Sequence, residues 1–157
     1  MLITSSLNPS RKTRLLCRDL ERAIWNATYL PRGKLKLEDI FLEGKKRKKK
    51  VICFIKEFGK RPGVLEFTDT EGNIILKIRI RDILFQKDIR KKPSRMIHHI
   101  KVLDASKNGS NKKLVEKLSS VFGKEGELKL LVDREKMGFV YKGKEIGPRL
   151  YIHSVDI

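Results

Sequence analysis

With 157 residues the chain can bury roughly two-thirds of its unfolded surface in one domain, which leaves too little core for two independent ones. Thirty-seven Lys and Arg against 19 Asp and Glu give a formal net charge of +18, a field that repels cationic partners and concentrates polyanions, so nucleic acid is the expected partner. Two cysteines without a CxxC pair, and no apolar run long enough to span a bilayer, argue against a zinc site, a disulfide scaffold and a membrane protein.

Met1-Leu2-Ile3 begins a strand pattern directly where a signal peptide would show a charged and then a long apolar region, which predicts a cytoplasmic protein. A helix is predicted over residues 11–26 with Ser10 as its N-cap, because a Ser hydroxyl can accept from an unpaired first-turn amide. Leu16, Cys17, Leu20, Ala23, Ile24 and Ala27 share one face of this helix, and Arg11, Arg14, Arg18 and Arg22 share the opposite one. Arg11 and Lys12 stand in the first turn, where acidic residues would suit the positive helix end; this reversal is the pattern of an anion site. Two readings of the arginine stripe stand, RNA contact or a solvated face relieved by Asp19 and Glu21. Trp25, near Arg14 on the helical wheel, either stacks on a base or covers a core edge.

Residues 29–50 hold Tyr29-Leu30-Pro31-Arg32-Gly33-Lys34, a short helical run around Leu37, Ile40 and Phe41, and then Lys45-Lys46-Arg47-Lys48-Lys49-Lys50. Pro31 and Gly33 restrict the backbone around a planar guanidinium able to make bidentate contacts, so Arg32, with Gly33 and Lys34, is expected to recognise RNA. The Lys45–Lys50 run reads as mobile point charges meeting phosphates, or as a solubilising or localisation patch. It helps to load the first third of the chain: residues 1–50 carry 14 basic and 5 acidic groups, half of the excess charge.

Strands follow at Val51–Phe58 and Val64–Thr68, separated by the turn-rich stretch Gly59–Gly63, and Thr70-Glu71-Gly72-Asn73 makes a turn. In residues 76–81 strict alternation predicts one apolar face and one wet face carrying Lys77, Arg79 and Arg81. Residues 86–95 form a basic loop with Lys87, Arg90, Lys91, Lys92 and Arg95. A strand, a helix over Asn111–Phe122, a strand at Leu128–Val132 and further strands complete the chain, the last opened by Gly147-Pro148. Arg149 either belongs to a structural turn or contacts RNA.

The chain carries an echo of itself. Ser6, Asn8, Ser10 and Lys12 recur as Ser106, Asn108, Ser110 and Lys112, each set between an apolar extended stretch and a helix, and strands end in Asp82-Ile83 and in Asp156-Ile157. Each half then reads as strand, helix, strands, which predicts an α/β fold of two similar halves sharing one core, with residues 29–50 as an insertion in the first.

Little in the sequence suggests turnover. His98, His99 and His153 lack a Ser, Cys or carboxylate partner at recognisable spacing, no phosphate-binding glycine loop is present, and carboxylates do not cluster, so no cofactor, metal or small-molecule substrate is expected. Cys17 and Cys53 read as buried apolar groups.

The ordered set Ile3-Thr4-Ser5-Ser6, Pro9-Ser10-Arg11-Lys12-Thr13, Tyr29-Leu30-Pro31-Arg32-Gly33-Lys34 and Gly147-Pro148-Arg149 resembles the Brix domain family of ribosome-biogenesis proteins. The resemblance implies one domain over residues 1–157, with halves 1–85 and 98–157 each like the anticodon-binding domain of class IIa aminoacyl-tRNA synthetases. It implies a role in pre-rRNA processing and subunit assembly, with rRNA or pre-rRNA as partner and another assembly factor or ribosomal protein as a second one, and binding without catalysis. The family's motifs fall here on Ser10, Arg11, Lys12 and Thr13, on Arg32 and Gly33, and on Gly147, Pro148 and Arg149. The lack of flanking extensions resembles the minimal archaeal form, and the link between the halves is short and basic. Two other classes stand beside this reading: a structural ribosomal protein, equally basic, and a metal-dependent RNA-processing enzyme, which would need clustered carboxylates.

Overall fold

The computed structural model describes residues 1–157. In chain order the elements are β1 (Leu2–Ser5), α1 (Arg11–Ala23), β2 (Thr28–Tyr29), α2 (Leu37–Lys46), β3 (Ile52–Phe58), β4 (Arg61–Thr68), β5 (Ile74–Leu84) and α3 (Gln86–Ile89). After the link come β6 (Ile100–Asp104), α4 (Lys112–Phe122), β7 (Leu128–Val132), β8 (Lys136–Tyr141) and β9 (Lys144–Asp156). The strands form a single nine-stranded mixed sheet in the order β2-β1-β3-β4-β5-β9-β8-β7-β6.

Both sides of this sheet run the same connectivity. β1 lies parallel to β3 and is followed by antiparallel β4 and β5; β6 lies parallel to β7 and is followed by antiparallel β8 and β9. The parallel pair on each side is joined through a helix, α1 or α4, because parallel strands cannot be joined by a tight hairpin. β5 and β9 meet antiparallel at the centre, from Lys77 opposite Asp156 to Leu84 opposite Arg149.

Strand alternation sends Ile3, Cys53, Ile55, Leu65, Phe67, Leu76 and Ile78 to one face, where they join Leu16, Cys17, Leu20 and Ala23 of α1. The same core continues through Leu114 and Leu118 of α4 to Leu130, Phe139 and Leu150. Phe122 of α4 makes edge-on contacts with Phe67 of β4 and Phe139 of β8, so an aromatic cluster joins the two sides. α2 covers the opposite face at one end of the sheet, where Ile40 packs on Leu2, Ile52 and Phe54.

Several boundaries differ from expectation. The first helix ends at Ala23, not residue 26: Ile24 is its C-cap with extended backbone, and Asn26 adopts a left-handed φ of 59° that no helix continues through. Arg61, Pro62 and Gly63 belong to β4, since Phe58 pairs directly with Arg61 and only Gly59-Lys60 turn. Gly147-Pro148 lies inside β9 and does not open it. The basic loop over 86–95 begins with the short helix α3. The helix starts also correspond one residue off the sequence echo, for Ser10 caps α1 whereas Asn111, not Ser110, precedes α4.

Candidate nucleic-acid interface

Amphipathicity turns α1 so that its apolar stripe meets the sheet and its arginines face out. Arg11, Lys12, Arg14 and Arg18 are exposed, and Arg22 is half-buried, 3.4 Å from Asp19. Asp19 relieves only Arg22 of the stripe. It is buried, and its other oxygen accepts the Gln86 N–H at 2.8 Å, tying α1 to the residue that leaves β5. Burial pushes its carboxyl above the usual range, against the opposing pull of the Gln86 amide and Arg22.

The N-terminus of α1 is already occupied. Ser10 Oγ accepts from the Thr13 N–H at 3.3 Å, as an N-cap should, while Glu57 Oε1 receives the Ser10 N–H at 2.5 Å and the Thr13 hydroxyl at 2.6 Å. Partial burial alone would raise the Glu57 carboxyl, and the hydrogen bonds from Thr13 and Ser10 outweigh it and hold the group below its ordinary value. The approach to α4 is closed similarly: Asp104 accepts from Ser106 N–H at 2.8 Å and Asn111 N–H at 3.2 Å. The anion expected at the start of α1 is therefore this chain's own carboxylate, and of the Ser10-Arg11-Lys12-Thr13 motif only Arg11 and Lys12 present charge to solvent.

The Lys45–Lys50 run has more structure than a mobile loop. Lys45 and Lys46 are the last turn of α2, Arg47 is its C-cap, and Lys48 takes the left-handed conformation at φ 54°. The Lys49 N–H then reaches the Gly44 carbonyl at 2.9 Å and the Lys48 N–H the Lys45 carbonyl at 3.1 Å, the paired bonds of a Schellman ending. Lys45 pairs with Glu71 at 2.9 Å, and Arg47 and Lys46 lie 3.2 and 3.8 Å from Glu43. Such exposed pairs contribute only about 0–1 kcal/mol, so a phosphate can displace them at small cost. Lys48 and Lys50 are exposed outside any ion pair. Lys49 turns back, and its Nζ donates to both Asn26 O and Asn26 Oδ1, at 2.7 and 3.2 Å. That contact ties the segment after α2 to the turn that follows α1.

Two expected contacts face inward instead. Arg32 is 8% exposed; its Nε donates to Leu35 O at 2.7 Å and an Nη to Ser5 O at 3.0 Å. The Leu35 N–H closes a turn onto the Arg32 carbonyl with Gly33 at a φ of 50°, where glycine alone carries no side-chain penalty. The guanidinium thus braces the entry to α2 and is not presented to RNA; Gly33 shapes the turn, and Lys34 alone of the three offers an exposed charge. Arg149 is held by both carboxylate oxygens of Glu145 and by the Tyr151 hydroxyl at 3.0 Å, so its charge is neutralised within the sheet. The hydrogen bonds it donates to Glu145 and Tyr151 raise its already high pKa further.

The basic strand keeps its alternation, with Leu76, Ile78 and Ile80 buried, but its wet face is partly neutralised: Lys77 pairs with buried Glu66 at 3.3 Å and Arg79 with Asp156 at 3.4 Å. Arg81 remains exposed, and with Arg61 and Lys12 it lines a concavity of about 80 Å³ between α1 and the strands. Arg61 escaped notice in the sequence because Gly59–Gly63 reads as a turn; the strand register is what brings it beside Lys12. No group of three or more His, Cys, Asp or Glu is placed to hold a metal ion, and no helix is long and apolar enough to cross a membrane.

No family model matches the chain. Among curated proteins, a probable Brix domain-containing ribosomal biogenesis protein of Methanopyrus kandleri is 40% identical over 78 residues, covering 50% of this chain and 40% of that one. The protein of the same description from Methanosarcina mazei is 34% identical over 84 residues, 52% of this chain and 50% of the relative. The match thus spans half or less of the relatives' own length. Among solved structures, a probable ribosomal biogenesis protein from Aeropyrum pernix K1 superposes with a TM-score of 0.85 at 19% identity, covering 98% of this chain and 94% of the other. Mil, described as an archaeal Imp4-like protein, superposes with a TM-score of 0.74 at 21% identity over 100% and 99% of the two chains. In sequence over half of its length, and in fold over nearly all of it, the chain is similar to archaeal Brix domain and Imp4-like ribosomal biogenesis proteins.

Proposed function

We propose that the protein is a ribosome-biogenesis factor that binds rRNA or pre-rRNA in the cytoplasm and acts in pre-rRNA processing and subunit assembly without catalytic turnover. The observation that carries this is the set of exposed cations that stand outside any ion pair: Arg11, Lys12, Arg14 and Arg18 on α1, and Lys48 and Lys50 after α2. Cations left free in this way suit the phosphates of a folded RNA, which is recognised mainly through backbone, 2′-hydroxyl and shape. The matching connectivity on the two sides of the sheet supports reading the chain as one Brix domain of duplicated halves, residues 1–85 and 98–157, each comparable to a class IIa synthetase anticodon-binding domain. A protein partner from the assembly machinery would find apolar contact in the groove beside α2, lined by Leu37, Phe41, Phe54 and Ile74.

Binding measured against salt tests the proposal. With six or more phosphates neutralised, log affinity should fall with log salt at a slope of roughly −4 or steeper, and structured rRNA should bind more tightly than duplex DNA of equal length. Equal affinity for both at physiological salt would reduce the protein to a nonspecific polycation. Ribosome gradients separate the remaining alternative: a biogenesis factor migrates with precursor particles, a structural ribosomal protein with mature 70S.

A further inference from the structure

Trp25 is the only tryptophan of the chain, and it stands out of the core at 43% exposure between two buried neighbours, Ile24 and Ala27. The reason is local. A turn closed by the Ala27 N–H on the Ile24 carbonyl at 3.2 Å puts Trp25 and Asn26 at its two central positions, and the left-handed Asn26 sends both flanking side chains inward while the indole stays outside. The indole rests on the imidazole of exposed His99, with ring centroids 4.2 Å apart and planes inclined by 50°.

The backbone beneath this pair is held on each side. Lys49 clamps Asn26 through two hydrogen bonds. The Met96 N–H donates to the Arg22 carbonyl at 2.7 Å, which docks the inter-half link on the end of α1. The Leu128 N–H donates to the His99 carbonyl at 3.2 Å, and a Cβ on Gly126 would stand 1.9 Å from that same oxygen. Cationic side chains lie on the adjoining segments: Arg22, three residues before Trp25 and 3.4 Å from Asp19, Lys49 on Asn26, and Arg95, whose guanidinium lies 3.6 Å from Glu21.

We propose that Trp25 and His99 form a preorganised platform on which an unpaired nucleobase of the RNA stacks, its flanking phosphates meeting Arg22 and Lys49. This rests on the RNA-binding function proposed above and adds to it a preference for RNA that offers an unstacked base, in a loop, a bulge or a single strand. Aromatic rings set in a cationic surface take any base, since every base has a π-face, so the site selects single-stranded character with little sequence preference.

The lone indole reports on its own site. The full-length protein is titrated with a single-stranded oligoribonucleotide and, separately, with inorganic polyphosphate, which offers the charges without bases. Stacking predicts that the oligonucleotide quenches Trp25 emission while polyphosphate binds without quenching. Trp25→Ala should lower affinity for fluorescently labelled oligonucleotide about tenfold and leave polyphosphate binding unchanged, with Trp25→Phe recovering most of the loss. Oligonucleotide binding that leaves the indole emission unaltered and is equally tight in Trp25→Ala overturns the platform but not the RNA-binding function. Failure of every RNA to bind overturns the function itself.

Discussion

The hydroxyl of Thr13 donates to the carboxylate of Glu57 at 2.6 Å, so the first turn of α1 is anchored to the bulged end of β3 by an anion from the chain itself. Because hydrogen bonding holds the Glu57 carboxyl below its ordinary value of 4.5, its contribution is complete at neutral pH and is lost as the pH falls through the lowered folded pKa. Asp19 has the opposite sign. Burial raises its carboxyl above 3.8, so its charge costs stability at neutral pH and protonation relieves that cost as the pH falls through the raised folded pKa. Glu57→Gln should therefore destabilise by about 1 kcal/mol at pH 7 and flatten the acid limb of the stability profile. Asp19→Asn, which keeps an oxygen for the Gln86 N–H, should be neutral or slightly stabilising at pH 7. Urea melts of both variants between pH 3 and 7 check the pair, and equal destabilisation at neutral pH would contradict the assignment.

Arg32 is a structural residue by its bonds to Ser5 O and Leu35 O. Lysine keeps the charge, but its donors all leave one nitrogen, whereas the two Arg32 bonds leave Nε and an Nη in the fixed geometry of the guanidinium. Arg32→Lys should lose about 2 kcal/mol of stability, and its folded fraction should bind rRNA as the wild type does. A variant that melts normally yet binds rRNA weakly would restore Arg32 to the recognition surface.

Lys48 offers a stabilising change. A non-glycine residue in the left-handed region costs about 1 kcal/mol, and the Schellman ending of α2 requires that conformation at this position. Lys48→Gly should raise the unfolding free energy by up to about 1 kcal/mol while reducing the salt slope of RNA binding by about 0.7 to 0.9 if Lys48 meets a phosphate. Thermal denaturation and a salt titration read the two effects separately; a drop in stability would show that the left-handed turn is not retained in solution.

The sequence disclosed the fold wherever periodicity was long. Leu16, Leu20 and Ala23 placed the buried face of α1, and the alternation of Leu76, Ile78 and Ile80 placed a core strand. The echo of Ser10 in Ser110 found both helix starts to within a residue. What stayed hidden was the partner of each charge. Nothing near Arg32 in the sequence shows that Ser5 O will lie within 3.0 Å. Glu57 is 47 residues from Ser10, and only the pairing of β1 with β3 brings that carboxylate to the start of α1. Charge counting finds a basic protein; sorting working cations from satisfied ones requires the tertiary contacts.

That sorting yields the most direct test of the interface. Arg14 and Arg18 are exposed on α1 outside any ion pair, whereas Arg149 is bound by Glu145 and Tyr151 inside β9. Removing both helix arginines should leave the fold intact, because neither side chain supports the core. It should make the salt slope shallower by roughly 1.4 to 1.8, the contribution of two phosphates. Arg149→Ala removes the same kind of charge but strands the Glu145 carboxylate, so it should destabilise by about 1 to 3 kcal/mol with an unchanged slope in the folded protein. RNA titrations at several salt concentrations, run beside denaturant melts of the two variants, separate these effects. If the Arg149 variant flattens the slope and the Arg14/Arg18 variant does not, the RNA surface lies on the open side of β9 and not along α1.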